Sequence, residues 1–570
     1  MNKQRYLDLI ELAVSAYSEE HIARYIASVR TNGLREHGYP RLVANIGILL
    51  AHGRGMHRLS YFPDMMTLCC DEVPTARARA GGNAGNDFSV KELVMCLLEL
   101  ERAGIFDRSL TDAWRKSLSS LDPYTTYSCI APVPVKIVGN WAAFSAASEQ
   151  TRVRAGMTEQ SDFIYNQVRS QLLVFDENGM YRDPHEPMVY DMVTRLQLAV
   201  VLANGYDGED RATLEELMHT SALPTLYMQS VSGEIPFGGR SNQFLHNETF
   251  YAALCEYYAA LYHQKGDDAL AGQFKSAARL AVDSLTPWLS EGDMHHIKNR
   301  YPQDSMIGCE GYAYFDKYMV TMGSWAYLAY FFADDDIAER PCPAEIGGYV
   351  WSTSPHFHKT FLSAGGYTVE LESNADFTYD SNGIGRIHKV NAPGALCLSV
   401  PFPCAPTTYT LSAPNPSPLA ISGGVQTEDG SWQFTSAKGT LYTLTEQATS
   451  TKTASITYTC TLPCGDILTH EIELNADGVT LTVTGKGQVG IELPIFVSDG
   501  AGTTNYAMID DTLVVSCDEW FCRTKTDGTF SLCCDENEKP LLYQNRNGTY
   551  HRALASGSGS VRVHITIEKA

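Results

Sequence analysis

A short polar segment carries several side chains that can bind a sugar acid and move protons. It spans residues 237–248, starts with two glycines after its first residue, and leads into an apolar run with helical spacing. Arg240 can hold a carboxylate in a bidentate contact, and His246 and Glu248 can exchange protons. The simpler alternative is a helix cap beside a surface ion pair. The density of polar groups favours a substrate pocket, to which we also assign three amides: Asn242, Gln243 and Asn247.

Two further segments, residues 82–89 and 179–195, place polar side chains at predicted helix starts. Each has a simpler structural explanation. Asp87 could cap the helix that follows it, and Asp191 could pair with Arg195 four residues later. The functional interpretation assigns these residues to the rim of a pocket, with Tyr190 and Asp191 in catalysis and with Asp87 and His185 in substrate binding.

A fourth candidate segment, residues 294–318, concentrates histidines, basic residues and tyrosines. The adjacent His295 and His296 could bind a metal ion, but no cysteine or carboxylate follows at metal-ligand spacing, so we predict no metal site. Aromatic rings mixed with basic groups are more typical of a sugar subsite. From this segment we assign Glu310 to catalysis and three residues to substrate binding: His296, Tyr312 and Tyr314.

Composition narrows the class of protein. The 570 residues carry a net charge of −23, which argues against nucleic acid and anionic membrane surfaces as partners. No apolar run reaches the ~18 residues of a membrane span, and the first residues resemble an amphipathic helix rather than a signal peptide. We therefore expect a cytoplasmic protein whose fifteen cysteines are mostly free thiols. Nucleotide-binding and serine-hydrolase motifs are absent from the sequence, and we predict no cofactor.

The pattern of apolar residues changes near residue 335. Residues 1–335 show helical spacing in segments of roughly 11–20 residues, whereas residues 345–570 show alternating patterns and frequent turn signals. The predicted fold is a multidomain α+β protein. An N-terminal (α/α) toroid, built from about six helix pairs as an (α/α)6 barrel, precedes a C-terminal antiparallel β-sandwich. Such a protein can form a homo-oligomer but does not need to.

With this arrangement, the chain resembles the heparinase II/III-like superfamily of carbohydrate-active enzymes. Locally the resemblance depends on residues 242–248 and on residues 366–388, where a strand begins at Ala-Gly-Gly-Tyr and Gly-Ile-Gly-Arg-Ile-His follows. Within that group the chain is most similar to glycoside hydrolase family 154, which contains β-glucuronidases. The resemblance implies action on oligosaccharides that contain uronic acid. Lyases of the superfamily use Asn, Arg or His to neutralise the uronate carboxylate, and Tyr or His to transfer protons.

Three function classes remain open. An exo-acting glycoside hydrolase that releases glucuronic acid needs two carboxyl groups, for which Glu248 is the first choice, and Arg240 and His246 would then bind the uronate. A lyase that cleaves by β-elimination needs its substrate charge neutralised and a proton acceptor. A non-catalytic glycan-binding protein would rarely need so many reactive loops. We favour the hydrolase. The remaining candidates are listed by role: Asp191, Asp87 or Glu310 as the second carboxyl; Asn242, His246 and Arg240 as neutralising groups; Tyr190, Tyr312 or Tyr314 as the lyase's base or acid.

Overall fold

In the computed structural model, the structure describes residues 1–290, 293–396, 401–404, 407–413 and 415–570. Helices dominate up to residue 346, which confirms the predicted helical first half. Within the described residues the helices are α1 (Lys3–Ser15), α2 (Glu19–Asn32), α3 (Gly38–Ala51), α4 (Phe62–Arg79), α5 (Asn86–Ala103), α6 (Arg108–Ser119), α7 (Pro123–Thr126), α8 (Trp141–Arg154), α9 (Asp162–Leu172), α10 (Met188–Ala203), α11 (Arg211–Thr220), α12 (Ala222–Tyr227), α13 (His246–Gln264), α14 (Asp268–Asp283), α15 (Phe315–Phe332) and α16 (Pro343–Ile346).

Helix α4 shows where spacing alone misleads. Residues 74–88 are polar and begin with a proline, so they are predicted to form a loop, yet the helix continues through Pro74 to Arg79. An internal proline costs about 3 kcal/mol because it removes one hydrogen bond and crowds the preceding turn. Seven residues of α4, from Phe62 to Ala76, are buried in the core and offset that cost. Helix α2 was not predicted either, because only Ile22 and Val29 of it are buried.

Six helices contact one another in a cyclic order. Helix α3 packs on α5, α5 on α8, α8 on α10, α10 on α13, α13 on α15, and α15 packs back on α3. Helices α4, α6, α9, α11 and α14 each pack against members of this ring. A single apolar core runs through these helices. Within the described residues, no helix combines the length and apolar character that a membrane span requires.

The second half of the chain consists of antiparallel strands, as predicted. In the described residues β3 to β6 form a four-stranded sheet and β7 to β18 a twelve-stranded sheet, in which the long strands β12 and β18 pair along their length. Both sheets contribute to one apolar core. The strands are β1 (Leu289–Ser290), β2 (Asp293–Met294), β3 (Tyr349–Ser352), β4 (Lys359–Ala364), β5 (Tyr367–Glu372), β6 (Gly383–Lys389), β7 (Ser422–Gln426), β8 (Trp432–Phe434), β9 (Leu441–Thr449), β10 (Ala454–Thr461), β11 (Ile467–Asn475), β12 (Gly478–Ser498), β13 (Asn505–Ile509), β14 (Thr512–Cys517), β15 (Trp520–Thr526), β16 (Thr529–Leu532), β17 (Tyr543–Gln544) and β18 (Thr549–Lys569).

Polar contacts from the strand half hold the segment at residues 235–241. The Gly239 amide donates to Asp380 at 2.7 Å, and Arg386 donates to the Ile235 carbonyl. The Lys359 ammonium lies 3.5 Å from the centre of the Phe237 ring. Gly239 has φ +77°, and an added Cβ there would lie 2.5 Å from Pro187, so only glycine fits this turn. The strand half therefore fixes the loop that carries Arg240.

Glu492 on β12 is expected to make unfolding depend on pH. It is fully buried, accepts hydrogen bonds from Ser422 at 2.7 Å and Ser436 at 2.5 Å, and burial raises its pKa to about 7. The folded state therefore keeps a proton that the unfolded state releases, so stability falls as pH rises from about 4.5 to 7. Glu492→Gln should reduce this fall by about 2 kcal/mol in urea unfolding at pH 5 and 7.5. Equal pH dependence in both proteins would contradict the expectation.

Candidate active site

A cavity of about 610 Å³ opens where the six ring helices begin. We call it the first cavity. Residues from the first two or three turns of each ring helix line it: Arg41 of α3, Phe88 of α5, Trp141 of α8, Tyr190 of α10, His246 of α13 and Lys317 of α15. Helix N-termini carry partial positive charge and unpaired backbone N–H groups. Six of them converging on one cavity favour an anionic ligand.

Three hydroxyl groups form a chain at the side of the first cavity. The Ser241 hydroxyl lies 3.1 Å from the Tyr190 hydroxyl and 2.9 Å from the Tyr312 hydroxyl. Burial raises the pKa of Tyr190, and the nearby Arg240 guanidinium, 4.4 Å from the ring centre, opposes that rise. Burial also raises the pKa of Tyr312 well above its usual value. A proton can pass between the two phenols through Ser241.

The backbone of Ser241 is fixed by a carboxylate of the helical half that pairs with an arginine of the strand half. The Ser241 amide donates to Glu310 at 2.7 Å, and Glu310 is held by both terminal nitrogens of Arg546 at 2.6 and 3.0 Å. Glu310 and Arg546 are 2% exposed, so this is a buried bidentate ion pair. Since Ser241 has φ +59°, an unfavourable value for a serine, the pair holds the residue in this conformation.

Asp183 supplies the carboxylate of the first cavity. Among the described residues that line the cavity it is the single acidic side chain. It accepts a hydrogen bond from Asn140 at 3.0 Å and forms an ion pair with Arg240. Burial raises the pKa of Asp183 while Arg240 opposes that rise. The pair shapes the cavity wall and directs the Arg240 guanidinium over Tyr190.

His246 and Asn247 begin α13 and reach the cavity with unused hydrogen-bonding atoms. The His246 Nδ1 and Asn247 Oδ1 atoms are buried and have no hydrogen-bond partner among the described residues, while Asn247 Nδ2 donates to the Ser241 carbonyl at 3.0 Å. Burial, followed by the charge of Arg41, holds the pKa of His246 well below its usual value. The imidazole is therefore neutral at pH 7, and both residues can hydrogen-bond to a ligand.

Two cations complete the first cavity. Arg41 is 2% exposed, pairs with Glu92 at 3.0 Å and donates to Thr321 at 2.7 Å. Lys317 has no ion-pair partner within the described part of the chain, and burial lowers its pKa. Arg41 was not predicted from the sequence, because it lies alone among helical residues, whereas Lys317 belongs to the segment 294–318 that was singled out for its basic residues but was given no role. Asp183 and Ser241 were also missed, although both belong to segments singled out for their polarity.

The first cavity brings together five of the residues predicted for the site. These residues line it from three different parts of the chain: Tyr190, Arg240, His246, Asn247 and Tyr312. Tyr312 is the most accessible of them, at 40% exposure. The proximity of Tyr190, Ser241 and Tyr312 could not be read from spacing, because the three residues are far apart in sequence.

The predicted carboxylates lie outside this lining. Glu248 binds Lys298 at 2.6 Å, and burial raises its pKa. Asp191 is fully buried and holds both Arg195, at 2.6 Å, and the Tyr181 amide, at 2.7 Å. Glu310 pairs with Arg546 as described above. Their predicted catalytic roles stay predictions, and these contacts show what each carboxylate does in the folded protein.

The remaining predicted binding residues also lie outside the lining. Asp87 accepts hydrogen bonds from the Ser128 and Cys129 amides, and His185 is 73% exposed at 3.7 Å from Asp376. Three others, Asn242, Gln243 and His296, are buried. Asn242 donates to the Pro236 carbonyl, Gln243 accepts from Asn547, and His296 pairs with the Ala313 carbonyl, with its pKa lowered by burial to about 4. Tyr314 is 36% exposed beside Lys317.

Comparisons with known proteins were made for sequence and for structure. No family model matches the chain, and no curated protein matches it in sequence. A heparan sulfate lyase HepC mutant from Pedobacter heparinus shares 9% identity at a TM-score of 0.48, covering 93% of this chain and 76% of that chain. The chondroitin AC lyase of Streptomyces coelicolor A3 shares 10% at 0.43, covering 99% and 83%. A glycosyl hydrolase family 88 protein from Bacteroides vulgatus shares 9% at 0.36, covering 58% and 100%.

Proposed function

We propose that the protein is a carbohydrate-active enzyme that cleaves uronic acid-containing oligosaccharides by β-elimination in the first cavity. The observation that supports this most directly is the Tyr190–Ser241–Tyr312 hydroxyl chain, which lies beside Arg240, His246 and Asn247. Elimination needs a neutralised carboxylate, a base and an acid. These side chains can neutralise the carboxylate and act as base and acid, so elimination does not need the pair of carboxyl groups that hydrolysis requires.

The substrate carboxylate would lie among the donors at the helix starts. Arg41 and Lys317 provide positive charge and the six helix N-termini provide N–H donors, while the Asn247 Oδ1 atom can accept from a sugar hydroxyl. Neutralising this carboxylate lowers the pKa of the adjacent C5–H bond, since the negative charge that develops at C5 spreads onto the carboxylate. The cavity therefore selects a uronate over a neutral sugar at this position.

Tyr190 is proposed as the base and Tyr312 as the acid. Burial raises the pKa of both phenols, but at Tyr190 the Arg240 guanidinium opposes that rise and favours the phenolate over that of Tyr312. Tyr190 takes the C5 proton, the C5–H electrons form the C4=C5 double bond, and the C4–O bond breaks. Tyr312 donates a proton to the leaving oxygen. Ser241 then carries the proton from Tyr190 to Tyr312, which restores both groups.

Product analysis tests this reaction directly. Uronate oligosaccharides that carry a sugar on O4 of the uronate should give an unsaturated product that absorbs in the ultraviolet and has no added water by mass spectrometry, whereas simple glucuronides, which carry only a hydroxyl at C4, should stay intact. A product that gains one water and does not absorb would contradict elimination. The same panel also tests the substrate class, because neutral oligosaccharides should not be cleaved.

An exo-acting β-glucuronidase is the second candidate. One observation favours it: Asp183 lies in the first cavity with a pKa raised by burial, as a general acid requires. Hydrolysis would need a second carboxyl group, for which Glu248 was the sequence-based choice. The resemblance to glycoside hydrolase family 154 noted in the sequence is consistent with this second candidate.

Glu248→Gln separates the two candidates. In a hydrolase that uses Glu248, this substitution should abolish turnover. In the proposed lyase it should change kcat by less than about tenfold, because Gln keeps an oxygen that can accept from Lys298 at the distance now held by Glu248, 2.6 Å. Thermal unfolding of the variant serves as the control for folding. Loss of elimination activity in a folded variant would contradict the proposed assignment.

We also propose an architecture for each half of the protein. The cyclic contacts of α3, α5, α8, α10, α13 and α15 support an (α/α)6 toroid as the catalytic half, residues 1–335. The two sheets that share a core support a β-sandwich over residues 345–570. This arrangement is the one expected of a heparinase-like enzyme with its site in the bowl of the proposed toroid.

A further inference from the structure

A second cavity, of about 790 Å³, lies where the helical half meets the strand half. We call it the second cavity. It shares no lining residue with the first cavity. Its walls come from the loop after α12, the loop before α15, and the residues around the ends of β6 and β12. Both cavities contact the segment 234–248. Glu234 lines the second cavity, whereas Arg240, Ser241, His246 and Asn247 line the first.

A buried charge cluster forms the floor of the second cavity. The Lys298 ammonium lies between Glu234 at 2.8 Å and Glu248 at 2.6 Å. Although burial opposes it, the charge of Lys298 holds the pKa of Glu234 well below its usual value. Glu234 is therefore ionised. Its Oε2 atom accepts from Lys298 and lies 3.5 Å from the Arg386 guanidinium, and no hydrogen bond to its Oε1 atom is found within the described residues. This oxygen can accept a hydrogen bond from a ligand.

His388 adds a second unused polar atom. Its Nδ1 atom is 2.7 Å from the Ser230 hydroxyl and 2.8 Å from the Ser232 hydroxyl. Its Nε2 atom is buried without a partner in the described part of the protein. Burial lowers the pKa of His388 to about 3, so the ring is neutral. The second cavity thus offers both a carboxylate oxygen and a neutral imidazole.

The remaining lining has an aromatic surface and balanced charge. Trp288 is partly exposed at the rim, with the Arg300 guanidinium 5.3 Å from its ring centre. Four acidic and four basic side chains are found among the described lining residues. This balance differs from the first cavity, where one carboxylate faces several cations and helix N-termini. The second cavity therefore has no preference for an anion.

We propose that the second cavity binds a neutral sugar unit. Sugar hydroxyls can donate to Glu234 and exchange hydrogen bonds with His388, and the apolar face of a sugar ring can pack on Trp288. An anionic ligand would meet the ionised Glu234, and an apolar ligand would leave its carboxylate unsolvated. The inference concerns binding alone and does not depend on the reaction proposed for the first cavity.

Two exposed glycines allow each cavity to be blocked separately. Gly394 lines the second cavity and Gly139 lines the first, and an added Cβ at either position meets no atom within 4 Å. Gly394→Trp and Gly139→Trp therefore form a matched pair in which each variant adds a bulky ring to the lining of one cavity. Trp288→Ala removes the aromatic surface of the second cavity without touching the buried charge cluster.

The experiment is calorimetric titration of the full-length protein with cellotetraose, chitotetraose and glucuronic acid at millimolar concentrations. A neutral tetrasaccharide should bind to the wild type and to Gly139→Trp, and bind at least tenfold more weakly to Gly394→Trp and Trp288→Ala. The proposal is overturned if neither tetrasaccharide binds, if binding survives Gly394→Trp, or if glucuronic acid is the ligand that Gly394→Trp displaces. Because titration measures no turnover, failure of the lyase assignment leaves these outcomes unchanged.

Discussion

Tyr190→Phe and Tyr312→Phe are each expected to lower kcat for uronate oligosaccharides by about 10²–10⁴-fold, with little change in KM. Each substitution removes one hydroxyl from the chain through Ser241, at 3.1 or 2.9 Å, and leaves the ring in place. The base or the acid of the elimination is then missing, whereas the groups that hold the substrate carboxylate remain. Steady-state kinetics, followed by ultraviolet absorbance of the product, measure the effect.

The hydroxyl chain through Ser241 also predicts the activity of the variant that carries both substitutions. Groups that act as one unit in catalysis show losses that are far from additive, so the double variant should be about as slow as the slower single variant. Tyr330→Phe is the matched control, because Tyr330 lies on α15 outside the first cavity and its ring stacks on Tyr327. Activity of Tyr190→Phe and Tyr312→Phe close to that of this control would remove the hydroxyl chain from the mechanism.

The order of elements was predictable from sequence, since each half has its own periodicity. Helical spacing up to about residue 335 and alternation after residue 345 reflect which side chains face a core, and burial determines both patterns. The element bounds were less predictable. Helix α4 continues through Pro74 because burial of its apolar face outweighs the tendency of proline to end a helix. The sequence alone shows only that local tendency.

The site was predictable in its residue types but not in its geometry. The start of α13 illustrates the reason. Residues 246, 247 and 250 face the first cavity, whereas Glu248, about 200° around the helix from His246, faces Lys298. The sequence shows three polar residues in a row, and the side that each one faces depends on how the helix is rotated in the ring. Arg41 was missed for the same reason, because a single cation in a helix gives no local signal.

Arg546→Met is expected to lower the free energy of unfolding by about 3–5 kcal/mol and to impair catalysis as well. The substitution leaves the Glu310 carboxylate buried without its guanidinium, which now lies at 2.6 and 3.0 Å. Glu310 would then take up a proton or recruit water, and the Ser241 amide would lose the acceptor that holds it at 2.7 Å. Displacement of Ser241 breaks the link between the two tyrosines, so kcat should fall more than KM rises.

A double-variant cycle separates this positioning role from simple loss of stability. Glu310→Gln keeps an acceptor for the Ser241 amide, so adding it to Arg546→Met should recover part of both the stability and kcat, because no unpaired charge stays buried. Arg523→Met serves as the control: Arg523 pairs with Glu568 at the same 2.6 Å, but both side chains are over 40% exposed. That pair should contribute no more than about 1 kcal/mol. If Arg546→Met costs no more than Arg523→Met, or if the double variant recovers nothing, the Arg546–Glu310 pair does not position Ser241.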